Sequence, residues 1–373
     1  MVPAYRTDHV GSLLRPKKLL DARHAHRDGK LSLAELRKVE DGAIDDAIKM
    51  QRAAGIEVVS DGEFRRMSWM AGPYAALGGL QQDDSSLFNS ARLWKGTHEA
   101  EEEANKETPV DWAIAIDKLT LKERMTGIET AFLKTHARGP YKITMPGPTI
   151  LLPLYRPGVS DRAYKNAQEL LDDLVRIYQT EVDAQIADGA TYIQLDSLRY
   201  AQALGKFSPS PHDDVSDTQA VVRQAIASDN AVLSRAKGKA IRAIHICRGN
   251  HRSAWVMSGG YDSVAEQIFN GCDADRFLLE YDDERSGTFE PLRFMPKGKI
   301  AVLGLISSKN AQLEKVDDLM RRIDQATKYL PLDQIAISPQ CGFASTELGN
   351  LLTEDDERRK LELVVATARK VWG

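Results

Sequence analysis

Short runs of apolar and β-branched residues alternate with amphipathic segments along almost the whole chain. The runs predict strands at Ile56–Ser60, Tyr141–Met145, Thr191–Asp196, Ala240–Cys247, Arg276–Glu280, Ile300–Ile306 and Gln334–Ser338, with a further one near Asp8–Ser12. They are continuously apolar rather than alternating, which is typical of strands covered on both faces of a parallel sheet. About eight strand–helix units favour an α/β fold of the (β/α)8 TIM-barrel type.

The amphipathic segments predict the helices that cover this sheet. Ser32 and Glu35 form a capping-box pattern, which opens a helix that ends near Gly55. Further helices are predicted at Ala163–Asp188, Asp262–Phe269, Val316–Ala326 and Glu354–Val371.

One segment, Gly78–Pro109, interrupts this rhythm because it is polar and irregular. We predict a single barrel domain over residues 1–373, with an insertion after the second strand. The insertion is placed at residues 78–135, over the barrel mouth. A solvated surface loop is the alternative interpretation of this segment.

Composition and charge exclude several classes of function. The chain of 373 residues carries 50 Lys and Arg against 54 Asp and Glu, a net charge of −4, which does not favour binding to nucleic acid or to an anionic membrane. No run approaches the ~18 apolar residues of a membrane helix, and the polar N-terminus lacks the apolar stretch of a signal peptide. Three cysteines are too few for a disulfide scaffold, so free or metal-bound thiols in the cytoplasm are expected.

Residue types that ligate metals lie at three predicted strand ends. His245 and Cys247 are two apart in one strand and project to the same side, and Cys341 follows another strand. Taken singly, His245 could be a hydrogen-bonded core histidine and Cys247 a small core residue. Together, one imidazole and two thiolates, with Glu280 as a candidate carboxylate, suit Zn²⁺.

Polar residues also follow most of the other predicted strands. They are the segments Asp61-Gly62-Glu63, Pro146-Gly147-Pro148-Thr149 and Ser307-Ser308-Lys309, together with Asp196. In a TIM barrel the chemistry takes place at the carboxyl ends of the strands. This recurrence therefore predicts an active site at that end of the sheet.

At these residues the sequence resembles the cobalamin-independent methionine synthase family, specifically its C-terminal catalytic barrel and its short single-barrel members. The resemblance covers essentially the whole chain, through His9–Pro16, Asp61–Glu63, Pro146–Thr149, Gln194–Asp196, His245–Asn250, Glu280–Arg285, Ser338–Gly342 and Cys341–Thr346. It implies a zinc-dependent methyltransferase that transfers a methyl group to a thiol, homocysteine, to give methionine. The implied activity is similar to that of 5-methyltetrahydropteroyltriglutamate–homocysteine methyltransferase.

The resemblance also implies roles for individual residues. The implied zinc ligands are His245, Cys247, Glu280 and Cys341. The carboxylate of the amino-acid thiol would bind the backbone of Val10–Ser12 and the Ser12 side chain. Its ammonium group would bind Glu63 and Asp196.

The sequence departs from the family where the methyl donor would bind. The full-length synthases stack a pterin on a Trp after the Gly-Pro turn, whereas residues 151–155 read Leu-Leu-Pro-Leu-Tyr. Their general-acid His is missing from Ile306–Lys309, so Lys309, or an acid from elsewhere, would supply the proton to a leaving amine. The donor stays open between methyltetrahydrofolate, a methylated corrinoid, a small S-methyl or N-methyl compound and an epoxide.

Three alternative functions remain. An epoxyalkane–coenzyme M transferase-like zinc enzyme would use the same His-x-Cys…Cys arrangement, but the carboxylates Glu63 and Asp196 favour an ammonium over a sulfonate. A zinc hydrolase would prefer His and carboxylate ligands, because two thiolates reduce the Lewis acidity of the metal. A structural zinc usually has ligands paired at short spacing. The sequence leaves the oligomeric state open, a homo-oligomer included.

Overall fold

The structure is a computed structural model that describes residues 5–83, 94–106, 112–205, 207 and 213–373. Within these ranges the strands are β1 (Leu77–Asp83), β2 (Trp112–Leu121), β3 (Lys142–Pro146), β4 (Tyr192–Asp196), β5 (Ile241–Ile246), β6 (Arg276–Glu280), β7 (Ile300–Ile306) and β8 (Ile335–Pro339). Strands β3 to β8 form a six-stranded parallel sheet in sequence order, and β1 and β2 form a separate antiparallel pair.

The parallel sheet is buried along nearly its whole length, as the continuous apolar runs predict. Its register aligns the carboxyl ends of neighbouring strands: Pro146 lies opposite Asp196, and Asp196 opposite His245. Residues far apart in sequence therefore meet at one edge of the sheet.

The prediction of regular strands near Asp8–Ser12 and at Ile56–Ser60 is wrong. Each segment makes a single parallel bridge, Thr7 with Ile337 in β8 and Val59 with Tyr141 beside β3. Backbone hydrogen bonds flank each bridge, such as the one from the Asp8 N–H to the Ile337 carbonyl oxygen at 3.0 Å, and a side chain adds to them. The Glu57 carboxylate accepts hydrogen bonds from the backbone N–H groups of residues 6 and 7, at 2.8 and 3.0 Å.

The helices of the described residues are α1 (Lys17–Arg27), α2 (Leu33–Ala54), α3 (Ala71–Ala76), α4 (His98–Ala104), α5 (Gly127–His136), α6 (Ala167–Ala187), α7 (Arg199–Gly205), α8 (Thr218–Leu233), α9 (Ala265–Gly271), α10 (Val316–Thr327) and α11 (Glu354–Trp372). The predicted capping box is present, and Gly55 ends α2 in the left-handed conformation. Helix α6 begins later than predicted, because the Asn166 side chain caps it by accepting from the Glu169 N–H at 3.0 Å. No helix in the described part of the chain is long and apolar enough to cross a membrane.

The predicted insertion contains the β1–β2 pair and α4, while residues 84–93 and 107–111 lie outside the described residues. The stretch 94–106 contacts the loop that follows β5. Lys95 forms an antiparallel bridge with Trp255, and Glu103 pairs with Arg252 at 2.9 Å. The segment thus reaches the loop that begins at Cys247, but its role as an insertion over a barrel mouth stays a prediction.

Candidate metal centre

Three of the predicted ligands come together at the carboxyl end of the sheet. His245 lies near the end of β5, Cys247 directly follows that strand, and Cys341 follows β8. All three are buried, and their ligand atoms lie within 4.8 Å of one another. The period of 2 along β5 places the imidazole and the first thiol on one side, and the parallel packing of the strand ends brings the second thiol to them.

The imidazole of His245 is held in one orientation. Its Nδ1 donates to the Leu278 carbonyl oxygen of β6 at 3.2 Å, and its Nε2 lies 3.7 Å from the Cys341 Sγ. A backbone carbonyl on Nδ1 fixes the tautomer that leaves Nε2 with its lone pair. That lone pair is directed to the side where the sulfurs lie.

The two thiols influence each other strongly. A hydrogen bond from Cys341 holds the pKa of Cys247 well below its ordinary value, and the same contact raises the pKa of Cys341. Burial alone would lower the pKa of His245, but the contact with Cys247 outweighs burial and raises it. The imidazole and the two thiols therefore influence one another's protonation as a single cluster.

This donor set fits zinc. One imidazole nitrogen and two thiolate sulfurs are ligands that Zn²⁺ takes in proteins, and three protein ligands leave a position for a substrate. Both thiols are free of disulfides and buried. In contrast, Cys272 contacts the Tyr200 hydroxyl at 3.3 Å, outside the cluster.

The fourth predicted ligand, Glu280, ends β6 next to the cluster but outside the group of atoms within 4.8 Å. Its carboxylate accepts from the Arg248 N–H at 2.6 Å and pairs with Arg285 at 3.2 Å. Burial raises its pKa. Its role as a ligand stays a prediction.

The two predicted ammonium-binding carboxylates lie beside the metal cluster. Asp196 ends β4, and burial raises its pKa to about 7, with the charges of His245, Glu63 and Cys247 also acting on it. Gln194 donates to its Oδ1 at 2.8 Å. Glu63 and Asp196 are thus close to each other and to the cluster.

Glu63 is held in an unusual backbone conformation. Its φ is +59°, in the left-handed region that side chains other than Gly adopt at a cost of about 1–3 kcal/mol. Its Oε1 accepts from the Thr144 hydroxyl at 2.8 Å, and Arg66 lies 3.8 Å away. Its Oε2 is buried and has no hydrogen-bond partner among the described residues. Such an oxygen suits a cationic ligand, because an unpartnered buried acceptor is costly.

Ser12 lies against the loop that carries Cys341. A Cβ added to Gly342 would come within 1.9 Å of the Ser12 Oγ, so only Gly fits there. The Ser12 carbonyl oxygen accepts from the Phe343 N–H at 2.9 Å. The structure therefore brings Ser12 next to the loop that carries Cys341, and its role in binding a carboxylate stays a prediction.

Lys309 follows β7, and its charge influences the pKa values of both Glu280 and Cys341. The Nζ atom is buried and has no hydrogen-bond partner among the described residues. A buried ammonium without a partner is available to a bound molecule. This position is compatible with the predicted proton donor.

A cavity of about 700 Å³ opens beside Glu280 rather than at the three ligands. It is lined by Asp282, Asp283, Glu284, Arg285, Gly287 and Arg322. Arg285 connects the two places, because it lines the cavity and also pairs with Glu280.

Several residues of the site were not predicted from the sequence. Arg66 makes a two-pronged ion pair with Glu129 and also donates to the Thr144 carbonyl oxygen, behind Glu63. Asp61 accepts from the Glu63 N–H. Asp61 belongs to a strand-end motif that the sequence does show. No sequence pattern brings Arg66 and Glu129 together, because their pairing depends on the packing of α5.

Comparison with known proteins places this chain and its fold in one family. Residues 5–369 match a family model described as "Cobalamin-independent synthase, Catalytic domain". The chain is similar to two uncharacterized proteins of Bacillus subtilis: YxjG is 35% identical and YxjH 37% identical. In both cases the match covers 99% of this chain and 95% of the relative.

A solved structure shows the same fold. It belongs to a protein of Listeria monocytogenes described as a candidate vitamin-B12-independent methionine synthase. The TM-score is 0.72 at 26% identity, over 100% of this chain and 99% of that one. The architecture is thus the α/β fold of the vitamin-B12-independent methionine synthases, a family of methyltransferases. This chain belongs to the cobalamin-independent synthase family and spans its catalytic domain.

Proposed function

We propose that this protein is a zinc-dependent methyltransferase that transfers a methyl group to the sulfur of homocysteine and so forms methionine. The observation that carries the proposal is the cluster of His245, Cys247 and Cys341, whose ligand atoms lie within 4.8 Å of one another beside two buried carboxylates. Family membership supports methyl transfer to a thiol.

The proposal includes a closed barrel. The two N-terminal segments bridge to β3 and β8, which are the two edges of the six-stranded sheet. Each segment adds one parallel pairing at an edge of the sheet, so that eight segments follow one another around it. We therefore infer a TIM barrel, with residues 78–135 as an insertion over its mouth. The free thiols of the site would be maintained in a reducing cytoplasm.

The chain's own residues bind and orient the thiol substrate. Glu63 and Asp196 hold its ammonium group, and Ser12 with the neighbouring backbone holds its carboxylate. These contacts direct the substrate sulfur toward the three ligands. Holding both reactants in contact contributes several kcal/mol, because aligned groups react at large effective molarity.

His245, Cys247 and Cys341 would hold Zn²⁺, with Glu280 as a fourth ligand that the substrate could replace. When bound, Zn²⁺ lowers the pKa of a coordinated thiol, so that the thiol reacts as a thiolate near neutral pH. Lys309 would then protonate the leaving group of an N-methyl donor, since its Nζ is buried and has no hydrogen-bond partner among the described residues.

The carboxylates disfavour the alternative, an epoxyalkane–coenzyme M transferase-like reaction. A sulfonated thiol carries an anion where Glu63 and Asp196 would place negative charge. Both are buried, so repulsion between like charges would not be screened by solvent. The arrangement thus favours an amino-acid thiol.

The test is titration of the zinc-loaded protein with homocysteine, recorded by calorimetry in buffers of different ionisation enthalpy. We expect saturable binding with release of a proton. A screen of methyl donors with homocysteine then identifies the second substrate through the methionine formed. If homocysteine does not bind and a sulfonated thiol binds saturably, the ranking is reversed.

A further inference from the structure

We propose that Asp61 is a positioning residue, which holds Glu63 in its left-handed conformation and thereby sets the ammonium contact of the thiol substrate. This inference rests on the proposed function for the nature of the ligand. The hold of Asp61 on the Glu63 backbone concerns only the turn from Ser60 to Glu63 and does not depend on which ligand binds.

Two side chains shape this turn, and each accepts from the backbone N–H two residues later. The Ser60 Oγ accepts from the Gly62 N–H at 3.1 Å, and the Asp61 Oδ1 accepts from the Glu63 N–H at 3.0 Å. Gly62 and Glu63 both have positive φ, +69° and +59°. Gly adopts this conformation freely, whereas Glu does not. The bond to Asp61 therefore stabilises the strained residue at its N–H, while its carbonyl oxygen accepts from the Arg15 guanidinium at 2.9 Å and from the Arg66 N–H at 3.0 Å.

The position of Glu63 leaves little freedom for its carboxylate. The Thr144 hydroxyl donates to Oε1, and a Cβ added to Gly11 would lie 3.2 Å from the same atom. The Oε2 atom is left without a partner in the described part of the chain. If the backbone of Glu63 relaxed to negative φ, the side chain would leave this place, since φ determines the direction of the Cα–Cβ bond.

The Asp61 side chain makes few other contacts. Its Oδ1 accepts from Glu63, while its Oδ2 is buried and without a hydrogen-bond partner among the described residues. The side chain is 4% exposed. Burial raises the pKa of Asp61 to about 7, so the carboxyl is only partly ionised near neutral pH. Replacement of Asp61 thus removes one hydrogen bond and a partial negative charge, and two variants can separate these effects.

The experiment compares Asp61→Ala with Asp61→Asn in zinc-loaded protein. The Asn side chain keeps the acceptor oxygen and loses the charge. We expect Asp61→Ala to weaken binding of homocysteine about fivefold, as one lost hydrogen bond would. Binding of 4-mercaptobutanoate, which lacks the ammonium group, should change less than twofold. Asp61→Asn should restore homocysteine affinity to within about twofold of the original protein, with equal zinc content in all three proteins.

A second measurement does not depend on the substrate. Hydrogen–deuterium exchange of a peptide covering residues 60–66 should be faster in Asp61→Ala than in the original protein, and Asp61→Asn should be slow again. If the original protein bound no homocysteine while this exchange difference was present, the proposed function would fail. The role of Asp61 in holding the Glu63 backbone would still stand.

Three results would overturn the inference. Asp61→Asn could be as impaired as Asp61→Ala, so that charge rather than the hydrogen bond matters. Both thiols could lose affinity equally, or the zinc content could fall, so that the effect is a general loss of structure. The third result is that the homocysteine affinity and the hydrogen exchange of Asp61→Ala are both the same as in the original protein.

Discussion

The two sides of the candidate site are built in different ways. The metal side uses His245, Cys247 and Cys341, which lie at or just beyond the ends of β5 and β8 in the regular parallel sheet. On the carboxylate side Asp196 also ends a regular strand, β4, but Ser12 and Glu63 stand on N-terminal segments that make single bridges instead of strands. A regular ladder positions ligands through strand register, whereas irregular backbone positions them through side-chain hydrogen bonds. Substitution of a ligand on the metal side should therefore severely reduce metal binding. Substitution on the carboxylate side should change the affinity for the thiol by a smaller factor.

The largest effect should come from the metal side. In Cys341→Ser, zinc affinity should fall by at least about 100-fold, because even partners one step removed from a metal are worth about 10- to 100-fold. Turnover should be lost with it. Metal analysis and competition with a chelator measure the affinity. The matched control is Cys272→Ser, whose thiol contacts Tyr200 outside the cluster and should leave the zinc content unchanged. Full zinc occupancy in Cys341→Ser would refute the assignment.

Lys309→Met should lower kcat by about 100-fold with an N-methyl donor, the lower range for a positioned acid. Zinc content and homocysteine affinity should not change, because Lys309 is not a ligand, although it lies near Cys341. A sulfonium donor, whose leaving group departs without a proton, should be insensitive to the same substitution. Equal losses with both kinds of donor would show that Lys309 does not act as an acid.

On the carboxylate side, Glu63→Gln should raise the KM for homocysteine about tenfold, since a hydrogen bond to a charged group contributes ~1.5–3 kcal/mol. The KM for a thiol without an ammonium group serves as the control and should stay constant. Zinc content should not change. A loss of zinc in Glu63→Gln would show that metal binding and ammonium binding do not depend on separate sets of residues.

The smallest effect on activity is expected at Glu357 of α11, which accepts from the Leu14 N–H at 2.7 Å and so holds the segment after Ser12. Burial raises the pKa of Glu357 to about 8 from its ordinary value of 4.5. The unfolded chain therefore releases this proton at lower pH than the folded protein does. The free energy of unfolding should fall between about pH 4.5 and 8, by up to ~1.4 kcal/mol per pH unit.

Glu357→Gln keeps an acceptor for the Leu14 N–H and removes this titration. Thermal unfolding measured from pH 5 to 8 should then depend less on pH than in the original protein, with unchanged thiol binding. An identical pH profile in the variant would mean that the Glu357 carboxyl is not the group responsible.

The sequence alone was sufficient for most of the sheet and for bringing His245, Cys247 and Cys341 to one edge of it. Buried parallel strands are continuously apolar, so six of the predicted runs became β3 to β8. A His and a Cys two apart in such a run must share a side, and the strand end that carries Cys341 lies at the same edge. The capping box at Ser32 was also readable, because it is a local pattern.

Only the tertiary structure decided how Glu63 is held on the carboxylate side. The positive φ of Glu63, its hydrogen bond to Asp61 and the Arg66–Glu129 pair behind it depend on contacts between segments that no local pattern joins. The first two predicted strands pair with the sheet at one bridge each, and the Glu57 carboxylate accepts from the N–H of residue 6. Residue type and period act along the chain, whereas backbone strain and ion pairing are determined by what packs against them.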